Sequence, residues 1–190
     1  MGQTEASINS LRLALTQIDH EAEPRLRCML QFNLAERLTS LGRAAEAAEM
    51  LPELRRLQAH VGNGLNQIRL RWLGGRIAAG LGRIDQAIEA LSWVRAAFAE
   101  EGVRYDEAQA GIELAGLYLK KGRTADVKRL VLLMEPVFRA QGIHQEARKA
   151  LQLFRRAIEK ETATPELAGR ITGYLRRAQQ DPELRFEEAA

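Results

Sequence analysis

Cysteine is almost missing from this chain, with Cys28 alone among 190 residues. A single thiol excludes a disulfide framework and any Cys-rich zinc module. Histidine is nearly as sparse: His20, His60 and His144 lie far apart, and no pair has metal-ligand spacing. No apolar run approaches the roughly 20 residues of a membrane span. The segment MGQTEASINSLRLALTQIDH lacks the basic start and apolar block of a secretory signal. These absences predict a cytoplasmic protein with no membrane partner, no metal and no cofactor. Aromatic residues make up only 5% of the chain, β-branched residues are few, and no segment alternates cleanly between apolar and polar. Strands are therefore not expected.

What the chain does have is apolar content, 46% of its residues, enough to bury a core and offset chain entropy. It also has a repeat, the feature that decides a fold when present. Leu41-Gly42-Arg43, Leu81-Gly82-Arg83 and Lys121-Gly122-Arg123 recur at a spacing of 40. The flanks hold the same register. Leu34 matches Leu114, the small residues Ala35, Gly75 and Ala115 align, then Ala47, Ala87 and Val127, then Leu51, Leu91 and Val131.

Each unit reads as two helices. Leu26, Leu30, Leu34 and Leu38 form a ladder on one helix face, and Gly42 ends that helix because glycine tolerates positive φ. A second helix is expected from about Ala44 to His60, broken by Gly62-Asn63-Gly64. Asp85 and Thr124 are expected as caps of the later second helices, and Pro52 and Pro136 as sites of kinks or breaks. Ser7 to Ile18 reads as the second half of an incomplete leading unit. His144 to Lys160 and Pro165 to Arg177 read as a fourth pair without the Gly-Arg turn. Thr164-Pro165-Glu166 has the grammar of a helix start, and Asp181-Pro182-Glu183 repeats it. The expected organisation is one all-α domain of about nine helices. It has a leading half-repeat at 1–22, repeats at 23–63, 64–103 and 104–142, a degenerate C-terminal pair acting as cap at 143–180, and a tail at 181–190.

The small residue, the glycine seven later and the alanine five after that resemble the tetratricopeptide repeat. Here they are Ala35, Gly42 and Ala47; Gly75, Gly82 and Ala87; Ala115, Gly122 and Val127. The period is 40 where that family has about 34, and Leu38 stands where an aromatic is usual, so this chain is similar to the longer-repeat bacterial versions. The resemblance implies a right-handed α-solenoid of antiparallel helix pairs whose first helices line a concave groove. It implies binding of a protein or peptide there, without catalysis. Carried over position by position, the groove would be lined by Met29, Phe32, Asn33 and Glu36; by Arg69, Trp72, Leu73 and Arg76; and by Gln109, Ile112, Glu113, Gly116 and Lys120. The carboxylate clamp of the family's chaperone-tail binders is not matched, since Phe32 and Glu36 stand where it needs Lys and Asn.

Charge is modest in total, 28 basic residues against 25 acidic, but uneven in place. Between Glu53 and Asp85 no acidic residue occurs, while Arg55, Arg56, Arg69, Arg71, Arg76 and Arg83 do. Arg69, Trp72 and Arg76 share one helix face. Two readings stand for this stripe: contacts to an acidic ligand through guanidinium and ring, or pairing of the arginines with Glu36 and Glu113 around a core tryptophan. Arg155-Arg156 and Arg176-Arg177 read as solvated faces. Gly74-Gly75 in mid-helix reads as close packing against Ile84–Ala99 or as room for a ligand. It is no phosphate loop, having neither a preceding strand nor a Lys-Ser/Thr. Cys28, beside Met29 and Leu30, reads as a packing residue.

No nucleophile, base or metal set converges, so an enzyme is not expected. The function expected is a protein- or peptide-binding scaffold, with an acidic ligand as the candidate. The alternatives are a regulatory module of a nucleic-acid-binding or signalling complex, prompted by the arginine excess, and a homo-oligomeric scaffold assembled through the terminal helices. Interleaved Glu159, Glu161 and Glu166 disfavour a nucleic-acid partner.

Overall fold

The computed structural model of the chain describes residues 2–19, 22–61, 63–134, 145–181 and 183–186. All regular structure among them is α-helical, as the periodicity requires. The helices are α1 (Gly2–Gln17), α2 (Pro24–Ser40), α3 (Ala44–Val61), α4 (Gly64–Gly80), α5 (Ile84–Glu100), α6 (Arg104–Lys120), α7 (Thr124–Leu133), α8 (Gln145–Glu159) and α9 (Pro165–Gln180). Residues up to Ala90 form one compact unit and those from Leu91 a second, with the boundary inside α5.

The 40-residue register is visible in the turns. Gly42, Gly82 and Gly122 have φ of 77, 75 and 68°, left-handed values that a Cβ disfavours. Beyond each glycine the next amide reaches back to close the preceding helix: Arg43 N to Leu38 O, Arg83 N to Ala78 O and Arg123 N to Tyr118 O, all at 2.9 Å. The same closure recurs at Gly102 (φ 70°), where Val103 N donates to Phe98 O at 3.0 Å. It recurs once more without glycine, at Glu161 (φ 59°), where Thr162 N donates to Ala157 O at 2.8 Å.

Helix starts differ from expectation. Thr124 is the first residue of α7 and Asp85 the second of α5, so neither caps. The carbonyls of Arg43, Arg83 and Arg123 take the first helical bonds instead, from Ala47, Ala87 and Val127. Two of these arginines then clamp an acid three residues on: Arg43 reaches Glu46 (Nη2–Oε2, 2.6 Å) and Arg123 reaches Asp126 (2.7 Å). Asn63 and Thr164 do cap, accepting from Asn66 N at 3.0 Å and Leu167 N at 3.2 Å. Pro52 stays inside a continuous α3 on its exposed side, and Pro136 lies outside the described residues. Asp181 ends α9 rather than starting a helix.

In the first unit α2 is central, packed by α1, α3 and α4. Its ladder residues Leu34 and Leu38 join Ile8, Leu54, Leu73 and Ile77 in the core. In the second unit, α9 rather than α8 packs along α6, while α8 packs on α7 and α9. Phe154, Leu151, Ile171 and Ile112 are fully buried there. Because Gly116 has no side chain, α9 comes close: a Cβ at Gly116 would lie 3.2 Å from the Ala168 Cβ.

Candidate binding site on the first unit

The α4 stripe divides into two parts with different surroundings. At its C-terminal end, Trp72 is buried and the Arg76 guanidinium lies over its ring, Cζ 3.9 Å from the centroid. The same guanidinium reaches Glu36 of α2, with Nη1–Oε1 at 3.1 Å. Glu36, Trp72 and Arg76 thus tie α2 to α4, and here the pairing reading of the stripe describes the contacts.

At the N-terminal end, Arg69 is exposed and borders a cavity of about 680 Å³ between α2, the end of α3 and the start of α4. That volume is in the range of ligand sites. Arg25, Phe32 and Asn33 line it from α2, with Met29 and Cys28 at the apolar side. Asn63 and Asn66 add amides from the capped start of α4. Two arginines and no acidic residue give this cavity a positive character. Cys28 is buried, and that burial raises its thiol pKa, which disfavours the nucleophilic thiolate.

The α6 positions are placed differently. Gln109 is only 2% exposed. It shares a helix face with Asp106 and Glu113, which meet α9: Gln179 Nε2 donates to Asp106 Oδ1 at 3.1 Å and Arg176 Nη2 to Glu113 Oε1 at 3.3 Å. Tyr105 OH donates to Leu175 O. This face of α6 is therefore covered by a helix of the chain itself, and Gln109 and Glu113 are not open to a ligand in this structure. Arg176, expected as part of a solvated face, is instead the residue that holds Glu113. Lys120 is exposed at the end of α6.

Of the thirteen groove residues expected, the structure gathers Met29, Phe32, Asn33 and Arg69 at one cavity, and Glu36, Trp72 and Arg76 in one tie. Arg25, Asn63 and Asn66 were not expected there; the cap signal of Asn63 was legible, but as a helix break alone. Among the described residues no group of His, Cys, Asp and Glu is placed to hold a metal ion, and no helix is long and apolar enough to cross a membrane. His60 Nδ1 is engaged with Arg56 O at 2.7 Å, and His20 and His144 lie outside the described residues. Compared with known proteins, the chain matches no family model, no curated protein and no solved structure.

Proposed function

We propose that this chain is a non-enzymatic, cytoplasmic binding scaffold of the tetratricopeptide-like kind, an α-solenoid that holds a peptide or protein segment on its first helices. The observation that supports it is the cavity bordered by Arg25, Phe32, Asn33 and Arg69. A carboxylate of the segment pairs with the arginines, asparagine amides bond its backbone, and Met29 and Phe32 receive an apolar side chain. The segment is therefore acidic with at least one apolar anchor. Affinity capture with the full chain, followed by identification of bound proteins, tests this. A partner held by the wild type and released by Arg25→Glu plus Arg69→Glu supports the reading; capture unchanged by that pair would sink it. Arg76 is unsuitable for this test because it pairs with Glu36.

A further inference from the structure

The opposite face of α4 carries a second cavity, of about 580 Å³, lined by α3, α4 and the first turns of α5. The repeat register explains why it is there. Position 74 is Gly, where the equivalent positions hold the buried leucines Leu34 (6% exposed) and Leu114 (2%). Position 78 is Ala, where the equivalents are Leu38 and Tyr118. Two successive rungs of the ladder are thus truncated in the middle repeat alone. No neighbour has filled the space: a Cβ built on Gly74 would meet nothing within 4 Å. Close helix packing, the first explanation for Gly74-Gly75, therefore does not account for Gly74. A glycine in mid-helix costs about 1 kcal/mol against alanine, and no close approach among the described residues requires it at Gly74.

The charge around the space is altered in the same repeat. In the flanking turns Arg43 clamps Glu46 and Arg123 clamps Asp126, but three residues after Arg83 stands Gln86. Arg83 and Gln86 both line the cavity, together with Arg55 and Arg71, and no acidic residue does. Between the arginines the floor is apolar, built from Leu51, Leu70 and Leu81. From Gln67 to Leu81 that floor follows α4 for about 20 Å. One buried polar side chain, Gln58, borders this cavity and the one beside Arg69. Gln58 is 7% exposed; its Nε2 donates to Asn66 O at 2.8 Å, while its Oε1 has no hydrogen-bond partner among the described residues. A buried amide oxygen without a donor is costly.

We infer that this crevice is a second docking site, for an acidic peptide segment of a partner protein that carries apolar side chains along its length. The leucine floor over Gly74 and Ala78 takes an apolar side chain, and Arg55 and Arg83 take carboxylates. Charge complementarity selects this occupant: a cationic segment would face Arg55 and Arg83 in a cavity lined by no acidic residue, and a purely polar one would leave the leucine floor unmatched. The site shares Gln58 but no arginine with the cavity beside Arg69, so substitutions of Arg55 and Arg83 test it separately from the proposed function.

The test is fluorescence anisotropy on the full chain at low salt, with a short labelled peptide repeating Leu-Glu-Glu as probe, and Leu-Lys-Lys and Ser-Glu-Glu peptides as controls. Gly74→Leu restores the side chain of the flanking repeats, and Ala78→Leu, which mimics Leu38, serves the same purpose if the first variant fails to fold by circular dichroism. Saturable Leu-Glu-Glu binding is expected, weakened roughly tenfold or more by either filling variant and by Arg55→Glu plus Arg83→Glu. Arg69→Glu, on the other face, is expected to change it less than about twofold. Absence of saturable binding, equal binding of either control peptide, or loss that follows Arg69→Glu and spares the filling variants would each overturn the assignment.

Discussion

The Arg76 guanidinium is held face-on to Trp72 while its Nη1 reaches Glu36 on the neighbouring helix. One side chain thus joins α4 to α2 through ring and carboxylate together. The Arg76 side chain is 13% exposed and that of Glu36 is 38% exposed, so the cation–π part is largely desolvated and the ion pair is partly screened. A desolvated cation–π contact contributes about 2 kcal/mol and a half-exposed pair at most about 1 kcal/mol. Arg76→Ala should therefore lower stability by roughly 2 kcal/mol, a fall in Tm of about 4–8 °C for a chain of this size. Glu36→Gln should cost under about 1 kcal/mol. Thermal denaturation of both variants checks the order; equal losses would mean that the carboxylate, and not the ring, is the main anchor.

Glycine-to-alanine substitutions should change sign along the chain. At Gly74 nothing lies within 4 Å of a new Cβ, so the helix gains propensity without a clash. Gly74→Ala should stabilise by about 1 kcal/mol, or about 2–4 °C in Tm. At Gly80 the Cβ would lie 2.7 Å from Ala44 Cβ, at the close approach of α3 and α4. At Gly111 it would run into the Met134 side chain, which is buried. Both should destabilise, by roughly 1–3 kcal/mol, with Gly111 the milder because a methionine side chain can shift. Denaturant midpoints measured side by side test the signs, and a destabilised Gly74→Ala would show that the space over α4 is not open.

Glu161 makes the turn that glycine makes elsewhere. Its φ of 59° is left-handed, and its carboxylate reaches Lys128 Nζ at 2.6 Å, a contact that holds its pKa below the usual carboxylate range. Both groups are more than half exposed, so the ion pair contributes little to stability. Relief of the left-handed strain should dominate in Glu161→Gly, raising Tm by about 2 °C. Lys128→Ala should leave Tm within about 1 °C. A fall in Tm for Glu161→Gly would mean that the carboxylate, and not the backbone, sets the stability of this turn.

The local grammar of the fold was legible because each signal is carried by a few adjacent residues. Gly42, Gly82 and Gly122 end their helices as the spacing predicts, and Thr164 caps α9. Partner choice between distant helices was not legible. That α9 packs along α6 depends on Tyr105, Glu113 and Gly116 meeting Leu175, Arg176 and Ala168, contacts over 50–70 residues that no periodicity encodes. The arginine-rich, acid-free window is plain in the sequence, and its helical spacing points to the Arg69 face of α4. Arg55, Arg71 and Arg83 come from three helices or their edges, so their convergence needs the fold. Alignment of Gly74 with Leu34 and Leu114 was available in the register as a missing side chain, and only the structure shows that nothing replaced it.

Tyr105 gives the second unit a pH dependence of definite sign. Its hydroxyl donates to Leu175 O, and burial, with added repulsion from Tyr174 and Asp106, pushes its pKa up to about 12 from an ordinary value near 10. The protonated phenol is thus favoured in the folded state. Below about pH 10 both states keep the proton and the stabilisation is complete. Between about 10 and 12 the unfolded chain releases it while the folded chain does not, so stability falls as pH rises. The full difference corresponds to about 2.7 kcal/mol, which partial exposure of the ring and solvent screening reduce to roughly 1 kcal/mol. Tyr105→Phe should lower Tm by about 2–4 °C at neutral pH through loss of the hydrogen bond. It should also flatten the decline above about pH 10, and remove the late component of the tyrosinate absorbance titration. A wild-type titration in which all three tyrosines ionise together near 10 would show that the Tyr105–Leu175 contact does not hold α6 to α9 in solution.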